Sequence, residues 1–436
     1  MTSGRKLRTQ AVTFALVLAL AGTGMVFALP RWTDTSRPLT TTRAGSAFLI
    51  AVIALSLLLL GKPNSLVRDL REAFNFPAFA VVSLALAGSL WSINTSASLL
   101  ENLRLLSGLF AAFALHRTWD HSTIRRLVLL ALSASFAISL ALHVMNPALL
   151  IRNGTIWAGL YNSSSTAGLL SALGVLLSLL ERKLSLFIRA SGGLLSLGVL
   201  FLSGSRTAQL ALLVALFCAP LLQFARSPRT TAFVLGTLLP FATVMAVLSA
   251  GYLGAAAGKN ASLSGRTGVW SGSWNMFLDR PLLGWGPAAP WSVFSLGYDF
   301  GFGGDLVPQG AHSLILEFAV GLGLPGAVAI CLFFGRVGRR AWFERNAAVA
   351  AFSLFILVAS VTNVYVFKSS LASALLWLAV FKPKHRGMNY ERQRSDSATT
   401  DRASSFRNRA DPLIEPLPRP VFEVARNGAG SSSFQR

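Results

Sequence analysis

Two arginines and one histidine, far apart in the chain, stand where apolar runs begin or end: Arg206 in "LSGSRTAQ", Arg266 in "LSGRTGVW" and His312 in "QGAHSLILEFAVGLGLPG". A guanidinium stays charged and offers a planar fork of donors that matches phosphate oxygens, so it suits a departing pyrophosphate better than lysine does. A neutral imidazole accepts a proton from a hydroxyl near pH 7. Together, two guanidinium groups on a leaving phosphate and one imidazole on an attacking hydroxyl make a set for glycosyl transfer without a metal. Each residue also has a plainer use. Arginines at helix ends snorkel to lipid headgroups, and a histidine at a span end serves as an interfacial polar residue.

Two further ionisable residues are supporting candidates. Glu317 falls inside an apolar run after His312, where a carboxylate needs a partner, either a structural hydrogen bond or an Arg or His that it orients. Arg280 follows Asp279, which also fits an ion pair or a helix end. Gly321, Gly323 and Gly326 with Pro325 predict close helix approach or a break in the span. The stretch "IRNGTIWAGLYNSSSTAG", with Arg152, Tyr161 and Asn162, offers aromatic and amide groups for an acceptor groove, and loop chemistry explains it as well.

The elements that must position these residues are set by composition. Hydrophobic residues make up 53% of the chain and charged ones 13%, with a mean hydropathy of +0.57. Runs near the roughly 20 apolar residues that cross a bilayer cover 11–29, 44–60, 127–145, 231–253, 313–334 and 347–367, and weaker ones cover 76–91, 104–115, 166–180, 184–202, 207–224 and 369–381. The fold class is all-α: a polytopic helical membrane protein with about 12 transmembrane helices over 1–381. The opening "GRKLR" before an apolar run is also similar to a cleavable leader; the many spans behind it favour a retained first helix.

The formal net charge is +22, and its distribution identifies its origin. With the N-terminus inside, alternating sides place Arg5, Lys6, Arg8, Lys62, Arg68, Arg71, Arg117, Arg125, Arg126, Arg182, Lys183, Arg226, Arg229, Arg336, Arg339, Arg340 and Arg345 on the inner face, and about half as many basic residues outside, spread over more chain. That is the positive-inside pattern. The basicity orients the chain and calls for no nucleic-acid partner.

The longest connection, 254–311, falls outside by the same parity. It holds four of the ten Trp (Trp270, Trp274, Trp285, Trp291), a residue type that favours the membrane interface. Val269, Trp270, Trp274, Phe277 and Leu278 fall at helical spacing and predict a short helix lying apolar side down on the bilayer. Pro281, Gly284, Gly286, Pro287 and Pro290 then predict turns. The segment 382–436, rich in Arg, Ser, Asp and Pro, reads as a disordered basic cytoplasmic tail, its basic start suited to anionic lipid.

Cys218 and Cys331 fall in apolar runs and the five His show no ligand spacing, so neither a disulfide framework nor a metal site is expected. No phosphate-binding glycine motif of a nucleotide enzyme is present. A transporter or flippase is the competing class. Coupled transporters place ionisable groups near mid-membrane, whereas here the charged residues inside runs are few (Arg104, Arg189, Glu317) and the candidates gather at one outer surface.

The run "GRTGVW...RPLLGWGP...AHSLILEFAVGLGLPG", preceded by "GSRTA", resembles the O-antigen ligases and polysaccharide polymerases of bacterial inner membranes. The likeness is strongest over 200–330. Its most specific part is His312-Ser313, nine residues, Gly323, two residues, Gly326; the family often has Asn where Ser313 stands. The resemblance implies a GT-C-like fold with one large periplasmic loop at 254–311 and no cofactor. It implies an undecaprenyl-pyrophosphate-linked glycan donor, lipid A core or a second lipid-linked glycan as acceptor, and a multi-pass protein whose active site faces the periplasm. His312 takes the catalytic-base position and Arg206 and Arg266 the pyrophosphate-binding positions. A protein-glycosylating transferase of the same family fits equally.

Overall fold

The computed structural model of the chain describes residues 9–13, 15–17, 20, 43–60, 76–146, 151–152, 156–161, 163–224, 266–292, 298, 300, 308, 310–343, 347–362 and 370–380, all within the compact unit 1–382. The expected span at 231–253 and the tail lie outside the described residues.

Helices follow in order: α1 (Arg43–Leu60), α2 (Phe76–Gly88), α3 (Thr95–Thr118), α4 (His121–Met145), α5 (Ser164–Leu180), α6 (Leu186–Ser203), α7 (Arg206–Phe224), α8 (Arg266–Asp279), α9 (Leu314–Phe343), α10 (Ala347–Thr362) and α11 (Ser370–Val380). A short antiparallel ladder, β1 (Ile151–Arg152) with β2 (Ile156–Trp157), is the exception to an all-α fold among the described residues. Among the described residues four helices, Thr95–Thr118, His121–Met145, Leu186–Ser203 and Leu314–Arg339, are long and apolar enough to cross a membrane. Shorter apolar helices cover Phe76–Gly88, Ser164–Leu180, Arg206–Ala219 and Ala348–Ser360.

Local chemistry starts these helices as it would in water. Asn94 caps α3 by accepting from Ala97 N–H, Asp120 caps α4 through Thr123, Ser163 caps α5 and Ser185 caps α6, each satisfying an orphan first-turn donor. The expected span 104–115 is therefore the inner part of a longer helix. Its charges are tolerated because Glu101 and Arg104 pair along the helix at 3.0 Å.

Packing joins α5 to α4, α6 and α7; α7 packs on α10, α10 on α9, and α9 on α2, while α3 holds α1 and α11. Interfaces close over small residues. A β-carbon at Gly174 would run into Ser196, and one at Gly192 into Ser133, the close approach that lets helices associate where no hydrophobic drive separates lipid from side chain. Several buried serines bond within their own helix, as Ser196 Oγ does on Gly192 O at 2.7 Å. Phe113, Phe136, Phe333, Phe355 and Trp377 fill the core, whereas Leu186, Phe187, Leu194 and Phe201 line the outside of α6. Such a face suits lipid.

Candidate functional site

Arg206 is the first residue of α7 and its side chain is exposed. The tip that presents it is made by Gly204, which ends α6 with φ 58, and by Ser203 and Ser205, both buried. They nestle against α5 at Gly168, where any β-carbon would collide with Ser205. The tip is thus fixed by a neighbouring helix, and Arg206 projects from a seated turn.

Arg266 is the first residue of α8, 60 positions further along the chain, and its Nη1 donates to Thr207 Oγ1 at 2.8 Å. The two arginines therefore stand at adjoining helix amino ends. Each such end carries unsatisfied N–H groups and roughly half a positive charge, so two guanidinium groups and two helix termini concentrate positive potential in one place. That combination has the chemistry that phosphate oxygens require. Thr207, the residue that ties the pair, gave no signal in the sequence beyond its place after Arg206.

His312 occupies a different local structure. It adopts a left-handed backbone, φ 50, a region that histidine enters more readily than most residues, and α9 starts two residues later. Glu317, on the first turns of α9, accepts the Ala311 N–H on Oε2 at 2.7 Å, while its own N–H donates to Ser313 O at 2.8 Å. The carboxylate clasps the backbone on one side of the histidine and the helix holds the other. Of the two roles open to Glu317 in the sequence, the structure shows the hydrogen bond, and it is made to the turn that carries the histidine.

The residues between α8 and this turn form a strap, 280–292, on the outside of α9. Helix α9 breaks at Gly323 (φ 67, ψ −159). Pro325 has no N–H to give the Gly321 carbonyl, and the Leu324 N–H turns away to Pro281 O at 2.7 Å. The carbonyls of Val320 and Gly321 accept instead from Trp285 N–H at 3.0 Å and Gly286 N–H at 2.8 Å. A buried backbone group without a partner costs about as much as a lost hydrogen bond, so the break and the strap require each other. Gly284 and Gly323 permit the contact: a β-carbon on either would overlap backbone of the opposite segment. The expected break in the span is thus present, and its function is docking.

The far side of the strap rests on the turn before α3. Trp91 Nε1 donates to Leu283 O at 2.7 Å, Ser98 Oγ to Pro287 O at 2.7 Å, and Asn94 Nδ2 to Ser292 Oγ at 2.8 Å. Trp285 is buried and donates its indole N–H to Met276 O at 2.8 Å; with Met276 and Val320 it forms a small apolar core of its own. This tryptophan is a core residue, a role different from the interfacial one expected. The helix at 266–279 is present as expected; it packs on α9, buries Val269, Gly272, Ser273 and Met276 and leaves Trp274 and Leu278 outward.

Arg280 is not part of the guanidinium pair. Its guanidinium lies 4.1 Å over the Trp285 ring, a cation–π contact that fastens the strap, and its N–H ends α8 on Phe277 O. Asp279 accepts from the Tyr298 hydroxyl; burial, and then this bond, push the Tyr298 pKa up to about 12. Tyr161 is also displaced from its expected role: it is fully buried against Phe136 and its hydroxyl bonds Ser135 Oγ at 2.7 Å, so it lines no acceptor groove. Asn162 lies outside the described residues. Among the described residues no group of three or more His, Cys, Asp or Glu side chains comes together.

These observations define a helical membrane protein with a phosphate-suited cluster of arginines at one end of its bundle and a clasped histidine turn at the head of a broken helix. Residues 191–331 match the family model described as O-antigen ligase, a match that supports assignment to that family and a glycan-transfer function of the ligase or polymerase kind. The matched stretch contains Arg206, Arg266, the strap, His312 and the broken part of α9. No curated protein matches the chain.

Proposed function

We propose that this protein is a metal-independent, inverting glycosyltransferase of the bacterial inner membrane. In this reading it transfers a glycan from undecaprenyl pyrophosphate to lipid A core at the periplasmic face, on a GT-C-like bundle of about twelve spans. The observation that carries the reading is the Arg266–Thr207 bond, which joins two arginine-headed helix amino ends into one anion receptor.

His312 takes the proton from the acceptor hydroxyl, and the oxygen attacks the anomeric carbon of the lipid-linked sugar. The bond from that carbon to the pyrophosphate oxygen breaks, and its electron pair leaves on the pyrophosphate, held by Arg206 and Arg266. Attack opposite the leaving group inverts the anomeric centre. Alignment of the two reactants supplies much of the acceleration and the fixed positive groups supply charge stabilisation as the leaving group departs. Glu317 acts through the His312 turn, and Arg280 acts through the strap.

The test is His312→Ala in cells lacking the chromosomal copy, read on a surface-glycan gel. Loss of a general base lowers transfer by about 10²- to 10⁴-fold, so long chains should vanish from lipopolysaccharide and accumulate on the carrier lipid while protein abundance holds. Full-length chains in that variant would overturn the base assignment. In the null strain, single repeat units left on the core would identify the polymerase form of the same chemistry.

A further inference from the structure

A cavity of about 40 Å³ lies between α2, α3 and the head of α9, roofed by Pro287 and Ala288 of the strap. One water needs roughly 10–15 Å³ on this measure, so the cavity takes about three water-sized groups: a substituent, and less than a sugar ring. Ala85, Leu105, Leu314, Phe318 and Leu322 make its walls apolar, and Glu101, Asn102 and Glu317 are its polar side chains.

Asn102 and Glu101 present acceptors to the cavity. Asn102 is 3% exposed, and both hydrogens of its Nδ2 are committed, to Ala85 O at 2.8 Å and Ser89 Oγ at 2.7 Å. Those bonds fix the amide orientation and leave Oδ1, which no described protein donor reaches, for the cavity. Glu101 gives one oxygen to Arg104 at 3.0 Å and keeps the other. Glu317 commits Oε2 to the Ala311 N–H. A buried acceptor is costly until a donor meets it, so an acceptor-only lining in apolar walls selects a ligand that donates.

We infer that this pocket is a subsite for a hydroxyl-bearing substituent of the saccharide that reacts beside His312; the inference rests on the glycan-transfer reading. An ammonium is the other donor-rich group, but the Glu101 charge is already met by Arg104 and Glu317 sits in the first turns of α9, where the helix amino end offsets a carboxylate. What remains suits neutral O–H groups with a carbon skeleton against Phe318 and Leu105. Location supports the same ligand: the Glu317 side chain that lines the pocket also clasps the turn that carries the proposed base. The roof residue Ala288 holds φ 53, a left-handed backbone that alanine adopts only at a cost.

The test uses the full chain in lipid nanodiscs and saturation-transfer NMR with methyl glucoside, methyl glucosaminide and ethanolamine as probes. Saturation of the methyl glucoside protons should fall about fivefold, the equivalent of one hydrogen bond, in Glu101→Gln and at least as far in Ala85→Leu, which fills the cavity. Where Ala85→Leu does not yield monodisperse protein, Glu101→Gln decides. Unchanged saturation, or ethanolamine displacing the glucoside while methyl glucosaminide outcompetes it, would overturn the subsite. His312→Ala should keep the saturation and lose transfer. Transfer surviving in His312→Ala would defeat the glycosyltransfer reading whatever the pocket does, so the two failures are distinguishable.

Discussion

At the turn between α5 and α6, Glu181 is buried and accepts from Arg125 Nε at 3.2 Å and Ser122 Oγ at 3.2 Å, pinning two helices through charge and hydroxyl. At the other end of the same bundle, α9 and the strap are joined backbone to backbone, and Arg266 donates to the neutral hydroxyl of Thr207. The Glu181 end is tied by a buried ion pair and by the Asp120 and Ser185 caps. The end bearing Arg206, Arg266 and His312 adds peptide-to-peptide bonds and strained turns, including left-handed Ala288 and His312, to its side-chain bonds. Strain of this kind persists where the surrounding structure over-determines it.

Breaking the strap should have the largest effect. Gly323→Ala places a β-carbon against the Leu282 carbonyl in a left-handed backbone. Strain of about 1–3 kcal/mol or more should detach 281–286 from α9, abolish transfer and expose the strap to limited proteolysis while the bundle stays intact.

Glu317 sharpens the comparison. Glu317→Ala should lower transfer by about tenfold or more by releasing the Ala311 N–H, at roughly 1–3 kcal/mol for an unsatisfied buried donor. Glu317→Gln, whose amide oxygen still accepts, should recover most of kcat and keep the pH–rate profile of the parent. A Gln variant as poor as Ala would mean that the charge, and not the clasp, matters.

At the other end Glu181→Ala leaves Arg125 and Ser122 without their partner. Thermal stability should fall by the equivalent of about 1–3 kcal/mol, while transfer per folded molecule is unchanged. Lost transfer in well-folded protein would erase the distinction between the ends.

The smallest effect is expected at Asp120. Burial raises its pKa, but hydrogen bonds from Thr123 outweigh it and hold the carboxyl below its ordinary value. The native state therefore binds its proton less readily than the unfolded chain, so the cap's contribution is present above the usual carboxylate range and is lost as pH falls through the lowered value. Asp120→Ala should remove about 1 kcal/mol at pH 7 and less near pH 3, seen as converging melting curves.

Much of this site was legible in the chain. Arg206, Arg266 and His312 show at the borders of apolar runs because ionisable groups there need a reason, and the glycine and proline spacing after Glu317 foretold a broken helix. Thr207, Asn102 and Glu101 were silent because each acts through a partner 13 to 59 positions away or through a cavity. Trp285 misled because its type suits both a membrane interface and a protected core, and only its neighbours choose between them.

By itself the sequence determined the class of solvent around the protein, the helical periodicity, the caps and the residue types able to hold phosphate and move a proton, since these follow from local composition and near-neighbour hydrogen bonding. Only the tertiary structure decided which helix ends adjoin, that the strap completes the broken α9, and that Glu317 clasps the histidine turn. Those choices rest on satisfying particular peptide groups across long stretches of chain, and no local pattern encodes which distant donor will meet which acceptor.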